Sequence, residues 1–145
     1  MIFIDANFLL YAYDRSSDPH AAAKAWLESV LSGDEEVRFA LMTLLAFVRI
    51  AMNPAVFRRP LSHQEAIRHV TGWLRQPVAE IAQPTRRHWS LLEDLTGSGQ
   101  ARGPLVMDAH LAALVIEHGA SLRATDRDFA RFPGLRFEDP LMARR

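Results

Sequence analysis

The stretch Met1-Ile2-Phe3-Ile4-Asp5-Ala6-Asn7-Phe8-Leu9-Leu10-Tyr11-Ala12-Tyr13-Asp14 decides the fold. Ile2, Phe3 and Ile4 form a short unbroken apolar run, as expected of a strand covered on both faces. Asp5 follows with no glycine or proline between, and Phe8 to Tyr11 resume an apolar pattern that reads as helix. A carboxylate therefore stands where a buried strand ends and a helix begins. In open parallel α/β sheets, ligands bind outside the carboxyl ends of the strands. On this reading Asp5 is either the N-cap of the following helix or a member of a site.

Working outward, the chain alternates between the same two kinds of element. Asp18-Pro19-His20 reads as a helix start with Asp18 as N-cap, and Ala23, Trp26, Leu27, Val30 and Leu31 follow at helical spacing. Val37 to Leu41 is a second strand. Thr43 to Met52 reads as a helix apolar almost all round, in which Arg49 is the only charge and needs a partner. Further helices open at Leu61-Ser62 and after Gln83-Pro84-Thr85, the latter running from Arg86 to Leu95, and Val78 to Ile81 is a strand between them. The loop Gln100 to Pro104 leads to a helix in whose start Asp108 lies. Ser121 to Ala124 and Arg136-Phe137 read as the last strands. Strand–helix alternation with connections too long for hairpins predicts a mostly parallel sheet covered by helices, in one domain over residues 1–145.

Composition sets the outer bounds. Acids and bases balance at 17 each, so no overall field attracts a polyanion, and an RNA partner would be met by local clusters. Arginine supplies 16 of the 17 positive charges, a bias that codon composition explains as well as phosphate binding does. There is no cysteine, which excludes disulfides and thiolate metal sites and fits a cytoplasmic protein. No apolar stretch is long enough to span a bilayer, and no secretion signal is visible.

Three acids stand in the same kind of place. Asp5 follows the first strand, Asp108 lies at a helix start, and Asp126 directly follows a strand, with Asp128 two residues on. If those strands are parallel neighbours, the acids converge on one edge. Packed carboxylates repel unless something positive joins them, and oxygen-only clusters suit hard ions such as Mg²⁺ or Mn²⁺. The chemistry implied is metal-assisted phosphodiester hydrolysis. Taken singly, each acid is better explained as a helix cap, a role worth roughly 1 kcal/mol. The six histidines show no metal-ligand spacing, and Asp34-Glu35-Glu36 reads as a solvated loop.

The ordered pieces carry a resemblance. Ile4-Asp5-Ala6-Asn7 with Leu9-Leu10-Tyr11-Ala12, Phe47-Val48-Arg49-Ile50-Ala51 with Asn53-Pro54, Asp108 to Leu114, Thr125-Asp126-Arg127-Asp128-Phe129 and Phe132-Pro133-Gly134-Leu135 are similar to a PIN-domain ribonuclease. The specific likeness is to the VapC-type toxins of bacterial toxin–antitoxin pairs, and it spans nearly the whole chain. It implies a three-layer α/β/α sandwich with a short, mostly parallel central sheet. It implies Mg²⁺- or Mn²⁺-dependent endonucleolytic cleavage of RNA, a VapB-like antitoxin as partner, and a homodimer. By position, Asp5, Asp108 and Asp126 match the family's metal-binding acids and Asp128 its frequent fourth. Thr125 and Asn7 match supporting polar residues.

One departure stands out: the family usually has a glutamate where this chain has Ala46, which bears on metal number and geometry. Candidate RNA-tracking arginines are Arg58, Arg59, Arg86, Arg87, Arg102 and Arg127. Two other readings compete. An aspartyl-phosphate enzyme wants a second Asp two residues after Asp5, where Asn7 stands. A PIN-like module that lost a ligand at Ala46 would only bind RNA or a protein.

Overall fold

The structure, a computed structural model, describes residues 1–142. Five strands form one sheet: β1 (Ile2–Ile4), β2 (Val37–Ala40), β3 (Ala79–Ala82), β4 (Ser121–Arg123) and β5 (Phe137–Glu138). Their spatial order is β3-β2-β1-β4-β5, and every pairing is parallel. Six α-helices accompany them: α1 (Ala6–Tyr13), α2 (His20–Leu31), α3 (Leu41–Ala51), α4 (His63–Leu74), α5 (His88–Ser98) and α6 (Leu105–Glu117). A 3₁₀ segment, Arg127–Arg131, follows β4.

β1 is central, and its three residues explain the layering. Side chains alternate across a strand. Ile2 and Ile4 accordingly enter the core made with α1 to α4, and Phe3 enters the core made with α5, α6 and the 3₁₀ segment. β2 repeats the pattern, with Val37 and Phe39 on the first side and Ala40 on the second. The result is a three-layer α/β/α sandwich, as the sequence implies.

From β1 the chain steps outward through β2 to β3, then returns to β1's other side to place β4 and β5. The strand order therefore reverses at β1 and β4. In such sheets the crevice outside the carboxyl ends of the strands at the reversal is where ligands bind. Asp5 and Asp126 flank that point.

Four details differ from the sequence reading. α3 is not buried all round: Leu44, Phe47 and Ala51 face the core, whereas Leu41 (54% exposed), Leu45 (59%) and Arg49 form an outward stripe. Arg49 sits in water and needs no buried partner, because neighbouring helices cover α3 on one side only. α2 begins at His20 rather than after a cap at Asp18. Its cap position is Pro19, whose carbonyl accepts from Ala23 N–H at 2.9 Å. α5 starts and ends later than predicted, leaving Arg86 and Arg87 in the preceding turn. α6 begins at Leu105, after Pro104, whose φ of −59° suits a helix start, so Asp108 occupies the first turn rather than the cap. Elsewhere local signals hold, as at α4, where Ser62 and Glu65 form a capping box with both bonds at 3.2 Å.

Candidate active site

Asp5 is fixed by the sheet itself. Its N–H donates to the Arg123 carbonyl at 3.0 Å, continuing the β1–β4 ladder, and its own carbonyl receives Leu9 N–H at 3.3 Å. It occupies the N-cap position of α1, yet its carboxylate makes no capping hydrogen bond. Burial pushes its pKa up to about 6. The N–H groups of Ala6 and Asn7 act against that rise, and the charge of Asp126 adds to it. A cap alone has no reason to be held this way.

Asp108 comes to the same place on α6. Its pKa is also raised to about 6, first by burial and then by Asp5, Asp126 and Asp128, with Arg131 opposing. Asp126 does cap: its carboxylate accepts the Asp128 N–H at 2.8 Å at the head of the 3₁₀ segment. A carboxylate has lone pairs to spare, so capping leaves it able to accept a further partner. Asp128 is exposed, and its Oδ1 lies 3.8 Å from Arg131 Nη2.

The fold thus brings Asp5, Asp126 and Asp128 within electrostatic reach of Asp108, and Asp126 within reach of Asp5, at the strand reversal. Asn7 is exposed in the first turn of α1, and Thr125 lies between β4 and Asp126. The donor set is all oxygen and electrostatically frustrated, which fits a hard divalent cation. Among the described residues no three acids or histidines already converge on single-ion coordination geometry. An ion here would therefore be held partly through water, as Mg²⁺ usually is. One buried polar atom lacks a partner among the described residues, Thr43 Oγ1 in the first turn of α3, beyond the carboxyl end of β2.

The six candidate arginines separate. Arg102, in the turn before α6, and Arg127, next to Asp126 at the start of the 3₁₀ segment, are exposed. Arg86 and Arg87 precede α5, whose start packs on the end of α6. Glu117 there is about 13 Å along the helix from Asp108. Arg58 and Arg59 lie beyond the far end of α1, on a separate groove of about 980 Å³. Apolar side chains including Tyr13, Leu27, Phe57, Leu61 and Trp73 line that groove. Arg15, Lys24, Arg58 and Arg59 mix on it with Asp14, Glu28 and Glu65.

Two features escape sequence reasoning. Arg131 is a cation beside the acids, and its i,i+3 spacing from Asp128 is the only local signal of it. The second is a buried network between α5 and α6. Glu117, whose side chain is fully buried, accepts from Thr85 N–H at 3.1 Å and lies 3.2 Å from His88 Nδ1. His88 Nε2 is in turn 2.8 Å from His110 Nδ1. Burial, and then the neighbouring His88, lowers the pKa of His110, against the pull of Glu117. Glu117→Ala should cost about 3 kcal/mol by stranding His88 and the Thr85 N–H, read as a lower midpoint in urea unfolding.

This chain resembles proteins already characterised. The PIN-domain family model matches residues 2–135. Ribonuclease VapC37 of Mycobacterium tuberculosis is 44% identical over 140 residues, covering 97% of each chain. Ribonuclease VapC43 of the same organism is 36% identical, covering 97% of this chain and 96% of that one. Among solved structures, VapBC2 of Rickettsia felis bound to promoter DNA superposes with TM-score 0.69 at 17% identity. The match covers 95% of this chain and 98% of that one. VapC20 of M. tuberculosis, described as a sarcin-ricin loop cleaving toxin, gives 0.66 at 20% identity, over 94% and 99%. These structures share the α/β/α sandwich. The chain belongs to the PIN-domain family, in its VapC branch.

Proposed function

We propose that this protein is the toxin of a VapBC-type toxin–antitoxin pair, an endoribonuclease that hydrolyses RNA phosphodiester bonds with Mg²⁺ or Mn²⁺. The observation that carries the reading is the convergence of acids at the strand reversal, where burial and neighbouring carboxylates raise the pKa of both Asp5 and Asp108. The full-length likeness to ribonuclease VapC37 supports it.

Asp5, Asp108 and Asp126 would hold the ion, directly or through water, with Asp128 as the outer fourth. A divalent ion bound there supplies a water of lowered pKa and a counter-charge for the phosphate. Asp5 and Asp108 must be ionised for that task, so they set the acid limit of activity. Asn7 and Thr125 stand beside Asp5 and Asp126 in the chain and would be the polar residues that support them. Arg102 and Arg127, both exposed, would pair with RNA phosphates beside the scissile one, fixing register without reading sequence.

The partners follow the same reading. The apolar groove between α1, α2 and α4 suits an antitoxin helix laid in along its apolar face. A second copy of the chain would cover the outward Leu41 and Leu45. No helix of the described residues is long and apolar enough to cross a membrane, and the cytoplasm, where RNA is at hand, is the place of action. The alternative, a non-catalytic module that lost a ligand at Ala46, is weaker, because carboxylates crowded at a bare edge would repel RNA. The test is incubation of the purified protein with a structured RNA in Mg²⁺, Mn²⁺ or EDTA. Internal cuts in either ion and none in EDTA are expected. Folded protein that cuts in no ion would favour the binding module.

A further inference from the structure

Asp5 follows β1 directly and is tied to the end of β4 through the Arg123 carbonyl, and Asp126 stands three residues beyond β4, so both acids are carried by the paired strands. Asp108 is different, because it rides on α6, outside the sheet. The turn that delivers α6 runs from Gly99 to Pro104 and includes two left-handed positions, Gln100 (φ 49°) and Gly103 (φ 54°). Such a turn has several ways to settle, so something must fix the head of α6 against the strand-borne acids.

The contacts that tie the Gly99 end of this turn to the 3₁₀ segment converge on Arg131. Its Nη1 donates to the Gly99 carbonyl at 3.0 Å, and its Nε donates to the Asp128 carbonyl at 3.2 Å. Its Nη2 lies 3.8 Å from Asp128 Oδ1. One guanidinium thus spans the end of α5 and the 3₁₀ segment, a task its planar fork suits and an ammonium does not. The same junction is closed from the other side by Gly99. A Cβ there would lie 2.8 Å from the Phe132 ring and 2.8 Å from the Leu95 carbonyl, so only glycine lets Phe132 press on the end of α5. Phe132 is buried (3% exposed), so the contact belongs to the core and not to a loose surface.

We propose that Arg131 is a positioning residue for cleavage: it fastens the α5–α6 turn to the 3₁₀ segment and thereby sets Asp108 against Asp126 and Asp128. The clamp stands on geometry alone, and its consequence for catalysis rests on the nuclease reading above. A misplacement of about 1 Å in a catalytic group costs on the order of a hundredfold in rate, so a loosened clamp is felt in turnover.

The experiment compares wild type with Arg131→Met, Arg131→Lys and Gly99→Ala. Hydrogen exchange is followed in metal-free protein, and RNA cleavage over a range of Mn²⁺ and RNA concentrations. In Arg131→Met, amides of residues 99–107 should exchange about tenfold faster while those of β1 and β2 are unchanged. The kcat should fall at least about tenfold with KM for RNA within about twofold, the mark of a transition-state effect. Arg131→Lys keeps the charge but not the fork and should stay near the Met variant. Gly99→Ala, with Arg131 intact, should show the same pattern from the opposite side.

Full activity in Arg131→Lys would mean that charge alone suffices, and would overturn the proposal. So would unchanged exchange in Arg131→Met, or a change confined to KM, which would make Arg131 an RNA contact. If wild type itself does not cut RNA, the nuclease reading fails. The exchange data, with the Mn²⁺ affinity of the variants, then still decide the clamp.

Discussion

Asp5→Asn is expected to lower metal-dependent cleavage by at least about 10²–10³-fold and at the same time to make the metal-free protein more stable at neutral pH. The two effects have one cause. Asp5 is held at the carboxyl end of β1 with its pKa up at about 6, so at pH 7.5 the fold carries a buried charge it would rather neutralise. The distance from the ordinary 3.8 to about 6 corresponds to about 3 kcal/mol. Asparagine keeps the shape and gives up no capping hydrogen bond, but it must bury an amide, so a net gain of about 1–2 kcal/mol is expected. Calorimetry in EDTA beside a gel assay of cleavage checks both halves. Loss of cleavage with loss of stability would point to a structural role, and cleavage that survives would remove Asp5 from the site.

The second large effect is a pH dependence that a cation reverses. Asp5 and Asp108 both have pKa values of about 6 in the folded chain, above the unfolded 3.8. Below about pH 4 both states hold these protons, and the groups cost nothing. As pH rises through 6 the folded state must ionise them against burial and against one another, and their contribution to stability is lost. Asp5 accounts for up to about 3 kcal/mol of that loss. Asp108 is half-buried and screened by water, so it adds about 1 kcal/mol, and the pair titrates as a unit rather than additively. The thermal midpoint in EDTA should therefore fall by about 6–10 °C between pH 5 and 8 from these groups.

Other groups bend the same curve. Burial holds the pKa of His69 and His110 down, so their contribution is lost as pH falls. Those terms are common to samples with and without an ion. The difference between the Mn²⁺ and EDTA curves isolates the acids: it should be largest at pH 8 and close to nothing at pH 5. Parallel curves would mean that no ion binds these acids.

How far the sequence carries depends on whether a feature is local. The sheet was legible because Ile2 to Ile4 is unbroken and ends on a charge, and because short strand candidates alternate with helices across connections too long for hairpins. The acids of the site were legible because each directly follows a strand or enters a helix, and parallel pairing turns such positions into neighbours. α3 misleads because Leu41 and Leu45 are as apolar as Leu44 and Phe47, and periodicity cannot tell an outward stripe from an inward one when both are apolar. The arginines could not be sorted because both ends of a helix look alike until the fold sets one of them beside Asp5. Arg131 was out of reach because its decisive partner is the carbonyl of Gly99, 32 residues away. The His88–His110 contact spans 22 residues and answers to no spacing rule.

The proposed activity requires that the carboxylates at the β1–β4 reversal hold a divalent ion. The most direct measurement is a Mn²⁺ titration at pH 7.5, followed by electron paramagnetic resonance, of wild type beside Asp126→Asn. Wild type should bind Mn²⁺ in a form that the substitution weakens at least about tenfold, because removing one carboxylate takes away both a ligand and a charge. Equal binding by the two proteins, or none by either while both remain folded, would contradict it.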